Sequence, residues 1–253
     1  MAGGPSPIKP RGRLRGMIPK IIHQIWLGGT DGLPEPPPHL AEASRSWVTR
    51  HPDWEYRTWS GEDIVALFQR ARPDLLELYR RYPYFVNRAD AARYLILHEH
   101  GGVYADFDVA CAAPLDGLLD QNLVLAPTKP FGVSNDLMMA RPGHPLFRAA
   151  LDGLPARFRY LFHPWVLPYA RVMLGTGSVY LSQLHRAARG GDSDVRYLTA
   201  DEYGHGDPTL ALVRHLRGNS WHSWDSRLLG AMWTHWRVLA AGLAAALAWA
   251  WLT

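Results

Sequence analysis

The chain has 253 residues, a formal net charge of +4, 47% hydrophobic residues and 20% charged residues. That length supports one domain with a sizeable core, with or without appendages, and that balance of apolar to charged residues excludes a disordered chain. A single cysteine, Cys111, excludes an intramolecular disulfide framework and a Cys-based zinc site.

The basic residues are partly gathered at Lys9, Arg11, Arg13 and Arg15. Elsewhere they form no stripe with interleaved aromatics, so nucleic acid is not an expected partner. Residues 1–16 are rich in Gly, Pro and Arg and lack an apolar h-region, which predicts a disordered basic tail and not a secretory signal. "IPKIIHQIWLGG" is a β-branched run closed by glycines and predicts the first buried strand. After the loop "GLPEPPPH", the run "LAEASRSWVTRHPD" predicts a helix stopped before Pro52, and "WEYRTWS" a second strand. Ser60 and Asp63 have capping-box spacing and open the helix "GEDIVALFQRA". A further short helix precedes "YFVNRADAARYLILHEHGG", a helix of about four turns that ends at a glycine pair. Strand, helix, strand and helix, then a further strand, is an α/β order that implies a partly parallel sheet.

That further strand, "GGVYADFDV", carries two carboxylates one residue apart. With period-2 alternation, Tyr104, Asp106 and Asp108 share one face, and Val103, Ala105, Phe107 and Val109 form the buried one. Neighbouring carboxylates of this kind require a cation or hydrogen-bond donors, and oxygen ligands suit Mg²⁺ or Mn²⁺. An isolated Asp-x-Asp is most often a solvated strand end. The helix before it places Asn87, Asp90 and Arg93 along one side, either as a surface ion pair or as groups for sugar hydroxyls and phosphate oxygens. Gly101 and Gly102 let helix and strand face one site. "RHLRGNSWHSWD" adds His215, Asn219, Ser220, Trp221 and His222 as further candidates for a metal shell or a diphosphate.

"IPKIIHQIWLGG", "NRADAARYLILHEHGGVYADFDV", "VSNDLMMARPGHPLF" and "SWHSWD" occur in the order of the block pattern of glycosyltransferase family 32, and the chain resembles that family over residues 17 to 224. Within it, "LPYARVMLGTGSVYLS" is similar to a segment of inositolphosphoceramide mannosyltransferases, except that Ser178 stands where those have proline. The resemblance implies a GT-A-type nucleotide-sugar-binding fold with a mixed, mainly parallel sheet over residues 17–230. It implies a retaining, metal-dependent transfer of mannose from GDP-mannose to inositolphosphoceramide, with Mn²⁺ or Mg²⁺ as cofactor. Asp106 and Asp108 are then the metal and donor aspartates, with Asp108 the more direct ligand and His215 or His222 near the metal. Asp90 and Arg93 would hold the sugar, Trp26 would stack on the base, and Ser220 and Trp221 would close over the diphosphate. Retention requires a carboxylate nucleophile or front-face attack. Asp136, beside Asn135, is the candidate nucleophile, and front-face attack is the favoured route. The alternatives are a UDP- or GDP-sugar hexosyltransferase acting on a glycan or protein, and a non-catalytic membrane adaptor.

Residues 238–252, "VLAAGLAAALAWAWL", are an uncharged run near the C-terminus. As a helix they would span about 22 Å, short of the roughly 30 Å hydrocarbon core. A short anchor, an interfacial helix and a buried terminal helix all fit. Residues 231–253 are expected to form a C-terminal hydrophobic helix and membrane anchor, with an endomembrane such as the Golgi as the expected location.

Overall fold

In the computed structural model, which describes residues 17–27, 35–128, 132–188 and 195–216, the β-branched run becomes β1 (Ile21–Ile25) and "EYRTW" becomes β2 (Glu55–Trp59). Between them lies α1 (Pro38–Arg50), and after them come α2 (Gly61–Ala71), α3 (Pro73–Arg81) and α4 (Phe85–His100). The capping box forms as its spacing predicts. Ser60 Oγ accepts from the Asp63 amide at 3.2 Å, and Asp63 Oδ2 accepts from the Ser60 amide at 3.0 Å. Then follow β3 (Gly102–Ala105), β4 (Val109–Cys111), β5 (Leu123–Pro127) and β6 (Val133–Ala140). The helices α5 (Pro145–Leu161), α6 (Pro168–Gly175) and α7 (Ser178–Ala188) precede β7 (Val195–Tyr197) and β8 (Val213–His215).

Six strands form one sheet in the order β2-β1-β3-β6-β5-β7. β1 pairs in parallel with β2 and β3, and β5 with β7, while β6 runs antiparallel to both its neighbours. The sheet is mixed and mainly parallel, as expected. A second, two-stranded sheet pairs β4 with β8. One core fills the space between the large sheet and the helices around Phe68, Tyr94, Phe147 and Tyr180. The other covers the opposite face with Trp47, Trp54, Leu137 and Tyr203. A sheet covered on both faces needs apolar side chains on both, so β3 is buried throughout. One expectation needs correction as a result: the Tyr104 side of β3 is as buried as the Val103 side.

The glycine pair does what its position suggests. Gly101 and Gly102 have φ of 65° and 86°, in the left-handed region that side chains disfavour. A Cβ on Gly102 would lie 2.5 Å from the Ile21 carbonyl oxygen, so β1 and β3 pair at this distance because no side chain stands there.

Two irregularities turn this frame into a site. Asp106 and Asp108 lie in the turn between β3 and β4, not on one continuing strand. The Asp106 amide still donates to Asp136 O at 2.8 Å, as the last rung of β3 on β6, and the Val109 amide closes the turn on Asp106 O at 3.0 Å. The chain thus leaves the large sheet between the two aspartates to enter the small one, and their side chains diverge. The second irregularity is in β6, whose register against β5 shifts between Leu125↔Met138 and Pro127↔Val133. The inserted residues are Ser134, Asn135 and Asp136. An odd insertion reverses which face each later side chain meets, and bulges of this kind recur beside active sites. Val133 accordingly packs in the helix-side core together with Met138.

Among the described residues no helix is long and apolar enough to cross a membrane. The tail 1–16 and the hydrophobic stretch 238–252 lie outside the described residues, as do Asn219, Ser220, Trp221 and His222.

Candidate active site

The site lies where β3 and β6 part, and α4 supplies its floor. Asn87, Asp90 and Arg93 do lie along one side of α4, but that side is buried: their exposures are 0%, 2% and 3%. They are therefore no surface ion pair. Arg93 is the centre of the network. Its Nη1 donates to Asn135 O at 2.6 Å and to Asp106 Oδ2 at 3.3 Å, and its Nη2 lies 3.1 Å from Asp106 Oδ1 and 3.3 Å from Asp90 Oδ1. Its guanidinium also stands 4.8 Å over the Tyr104 ring. Burial disfavours the charge on Arg93, but Asp106, Tyr104 and Asp90 outweigh it and hold the group protonated.

Asp90 is saturated by protein groups. Oδ1 accepts from Asn135 Nδ2 at 2.8 Å and Oδ2 from Thr176 Oγ1 at 2.7 Å, and burial raises its carboxyl above the usual range. Thr176 Oγ1 in turn accepts from Asn87 Nδ2 at 2.8 Å. As arranged, Asp90 acts on the open side of the site through Arg93 and Asn135.

Asp106 faces both ways. The Tyr104 hydroxyl donates to its Oδ1 at 2.6 Å, yet its side chain keeps 30% exposure. Burial, partly offset by Arg93 and reinforced by Asp108 and Asp136, raises its carboxyl to about 7. Asp108 turns to the other group. Its Oδ2 lies 3.8 Å from His215 Nε2, and its carbonyl accepts from the Leu216 amide at 2.7 Å. Burial raises this carboxyl too.

Asp136, re-aimed by the bulge, completes the constellation. Its Oδ2 accepts from the Tyr203 hydroxyl and lies 3.2 Å from His215 Nε2. Burial works to raise its pKa, but hydrogen bonds from His215, Ser134 and Tyr203 hold it below the usual carboxylate range. The same contact raises His215 to about 9 and keeps it protonated near neutrality. Asp136 Oδ1 is buried with no partner of hydrogen-bond geometry among the described residues. Trp26, at the end of β1, packs its ring 5.0 Å from Phe107, inside the same turn.

The sequence-predicted residues Trp26, Asp90, Arg93, Asp106, Asp108, Asn135, Asp136 and His215 are thus brought together. Ser220, Trp221 and His222 fall outside the described residues. Thr176, Tyr203 and Tyr104 as a hydrogen-bond donor were missed. Only the spacing of Tyr104 from Asp106 carried a signal for any of them.

Carboxylates outnumber cations here. Asp90, Asp106, Asp108 and Asp136 share Arg93 and a protonated His215, and repulsion from Asp108 and Asp136 adds to burial in raising Asp106. Among the described residues no three His, Cys, Asp or Glu side chains form a ready-made metal cage. Two carboxylates at the turn, an excess of carboxylates over cations and an orphaned buried oxygen nonetheless fit a hard divalent ion. Such an ion is usually held by one or two carboxylates together with substrate phosphates.

Residues 37–125 match the family described as the glycosyltransferase sugar-binding region containing DXD motif. Over 235 residues the chain is 36% identical to mannosyl phosphorylinositol ceramide synthase SUR1 of Saccharomyces cerevisiae, covering 91% of this chain and 57% of the relative. It is 35% identical over 230 residues to inositol phosphoceramide mannosyltransferase 3 of Schizosaccharomyces pombe, covering 87% and 60%. The chain thus spans less than two thirds of the length of these curated relatives. Among solved structures, the UDP-bound glycosyltransferase domain of the YGT toxin superposes with a TM-score of 0.53 at 9% identity, over 79% of this chain and 83% of that one. The ligand-free form of that domain gives 0.54 at 9% identity, over 72% and 80%. This likeness is one of fold: a GT-A-type glycosyltransferase architecture.

Proposed function

We propose, from the match of residues 37–125 to a glycosyltransferase sugar-binding region containing DXD motif, that the chain is a mannosyltransferase. It would move mannose from GDP-mannose to inositolphosphoceramide, with retention of configuration and with Mn²⁺ or Mg²⁺. The observation that carries the reading is the turn at Asp106–Asp108, held open by Arg93 on one side and by the Asp136–His215 pair on the other. The mannosyl and lipid assignments draw on the two yeast relatives, whose names state that chemistry.

Asp108 and Asp106 are the residues that would hold the divalent ion, with His215 at its edge. When bound, such an ion acts as a Lewis acid for the diphosphate leaving group. Arg93, fixed by two carboxylates and a carbonyl, orients Asp106 and supplies a preorganised positive charge beside the donor. The exposed edge of Asp106 is free to accept a donor hydroxyl, and Trp26 offers a ring at the turn for the base. Protonated His215 adds a second positive charge near the departing phosphate and can give up its proton there. Ser220 and Trp221 remain assigned to the donor by resemblance.

Asp136 does not suit a nucleophile. Its Oδ2 is engaged by Tyr203 and His215, and its Oδ1 is buried. That favours front-face attack, in which the acceptor hydroxyl enters on the side from which the diphosphate leaves and passes its proton to it. Asn135 then positions, linking Asp90 to Arg93. For residues 238–252 we propose membrane association, on an endomembrane such as the Golgi.

The test is a donor panel with inositolphosphoceramide as acceptor and Mn²⁺ present, scored by mass spectrometry of the lipid product. GDP-mannose is expected to yield mannosyl inositolphosphoceramide. Transfer from a UDP-sugar alone would overturn the mannosyl assignment and leave the family intact.

A further inference from the structure

Between Asp152 and Asp192 the chain carries no acidic residue, and none between Glu77 and Asp90. The fold brings these two stretches together. The Arg81 guanidinium stands 5.0 Å over the Phe158 ring, Tyr82 packs edge-on against Phe162 at 5.3 Å, and Arg171 Nη1 donates to the Tyr84 hydroxyl at 3.4 Å. Between α5 and α6, the loop is tied down by Arg171, which donates to Val166 O at 2.8 Å and to Pro164 O at 3.1 Å. That anchored loop holds Trp165 outward at 78% exposure, stacked on His163.

Leu167 follows it in the same loop, Tyr160 lies at the end of α5 just before that loop, and Phe85 is next to Tyr84, which Arg171 ties to the loop. These four are half of the eight large hydrophobic side chains exposed among the described residues, so their grouping is not the usual scatter. Arg81, over the Phe158 ring, and Arg159, next to Tyr160 in the chain, are exposed as well. Tryptophan and tyrosine favour the headgroup level of a bilayer, and arginines near an anionic leaflet each add attraction. These two stretches combine both kinds of residue and contribute no acidic side chain, which makes the surface they build complementary to anionic lipid.

We propose that this face, centred on Trp165, docks on an anionic lipid bilayer. Trp165 and Leu167 would enter the headgroup layer, and Arg81 and Arg159 would meet lipid phosphates. The proposal deepens the lipid-acceptor reading of the site and rests on it. From Leu167, the single helix α6 leads to Thr176 and so to Asp90, a distance of about 13 Å at 1.5 Å rise per residue. Docking here would hold the transfer site over the leaflet that carries the acceptor. It is separate from any contribution of residues 238–252.

The test is co-sedimentation of the full chain with phosphatidylcholine vesicles and with vesicles enriched in phosphatidylserine. Wild type is compared with Trp165→Ser and with the double variant Arg81→Gln, Arg159→Gln. All three side chains are exposed, so melting temperature and transfer to a water-soluble inositol phosphate acceptor should be unchanged. The arginine variant should bind phosphatidylserine vesicles more weakly by roughly fivefold per charge removed, and high salt should erase its difference from wild type. Trp165→Ser should weaken binding to both vesicle types. If wild type transfers nothing to the soluble acceptor, the functional reading fails while the vesicle result still stands. Vesicle binding identical in all three proteins overturns the docking surface, whichever segment then carries binding. So does a dimer that Trp165→Ser splits without changing vesicle binding, which would give this face to a second copy of the chain.

Discussion

Arg93→Lys separates a buried organising cation from a surface ion pair, because the two readings differ several-fold in magnitude. The guanidinium reaches Asn135 O, both oxygens of Asp106 and one oxygen of Asp90, all within 2.6 to 3.3 Å. A lysine ammonium keeps the charge but is one point, and it cannot bridge two carboxylates and a carbonyl in that plane. At least two charge-assisted contacts are lost around a guanidinium whose own side chain is only 4% exposed. At about 1.5–3 kcal/mol each, the cost is roughly 3–5 kcal/mol, similar to removing one partner of a buried ion pair. For a domain of this size that is a fall of roughly 6–20 °C in melting temperature. An exposed i,i+3 pair would cost at most about 0.5 kcal/mol. Displacing Asp106 by a fraction of an ångström adds a catalytic penalty, on the order of a hundredfold in kcat/KM. Thermal denaturation of both proteins, followed by steady-state transfer at a temperature where both are folded, measures the two effects separately. A variant that melts within a degree or two of wild type and turns over at the same rate would refute the network.

The other predictions concern the supports of that network. Thr176→Val removes a hydroxyl that serves both Asp90 and Asn87, so denaturant unfolding should show a loss of about 2–4 kcal/mol, with Thr176→Ser close to wild type. An unchanged midpoint in Thr176→Val would mean that Asp90 is held without it. His23 is buried between Gly101 O and the Trp59 indole, and desolvation, with His100 adding to it, lowers its pKa to about 3. Its folded pKa is below the unfolded value, so its contribution is fully present above about pH 6.5 and falls as pH drops from there toward 3, by about 1.4 kcal/mol per pH unit. Urea midpoints at several pH values should show this slope in wild type and a shallower one in His23→Gln; equal slopes would contradict it.

Local chemistry made much of this fold legible from sequence. The capping box at Ser60 and Asp63, the helix end at Gly101, and the helix carrying Asn87, Asp90 and Arg93 all formed where short-range rules placed them. The burial of that helix face was not legible, because Asp and Arg at i,i+3 look the same on a surface as in a core. Alternation failed at the two places that matter most. Asp106 and Asp108 obey the strand period only until the chain changes sheets, an event fixed by the pairing of β4 with β8, over a hundred residues away in sequence. Asn135 and Asp136 were within reach of the block pattern, but their opposite directions come from a register shift set by β5. Tyr203 lies in a stretch without periodicity, and only the folded chain brings its hydroxyl to Asp136. The choice of His215 over other histidines likewise came from β8 lying beside the turn.

The central claim is that the Asp106–Asp108 turn holds a divalent ion and a mannosyl donor for transfer to a lipid acceptor. Purified wild type and Asp108→Asn, incubated with GDP-mannose, inositolphosphoceramide and Mn²⁺ and followed by release of GDP together with the mannosylated lipid, test it most directly. The account predicts Mn²⁺-dependent formation of both products in stoichiometric amounts by wild type, and neither product from a folded Asp108→Asn. Full activity in Asp108→Asn, or wild-type turnover that persists unchanged in excess chelator, would contradict it.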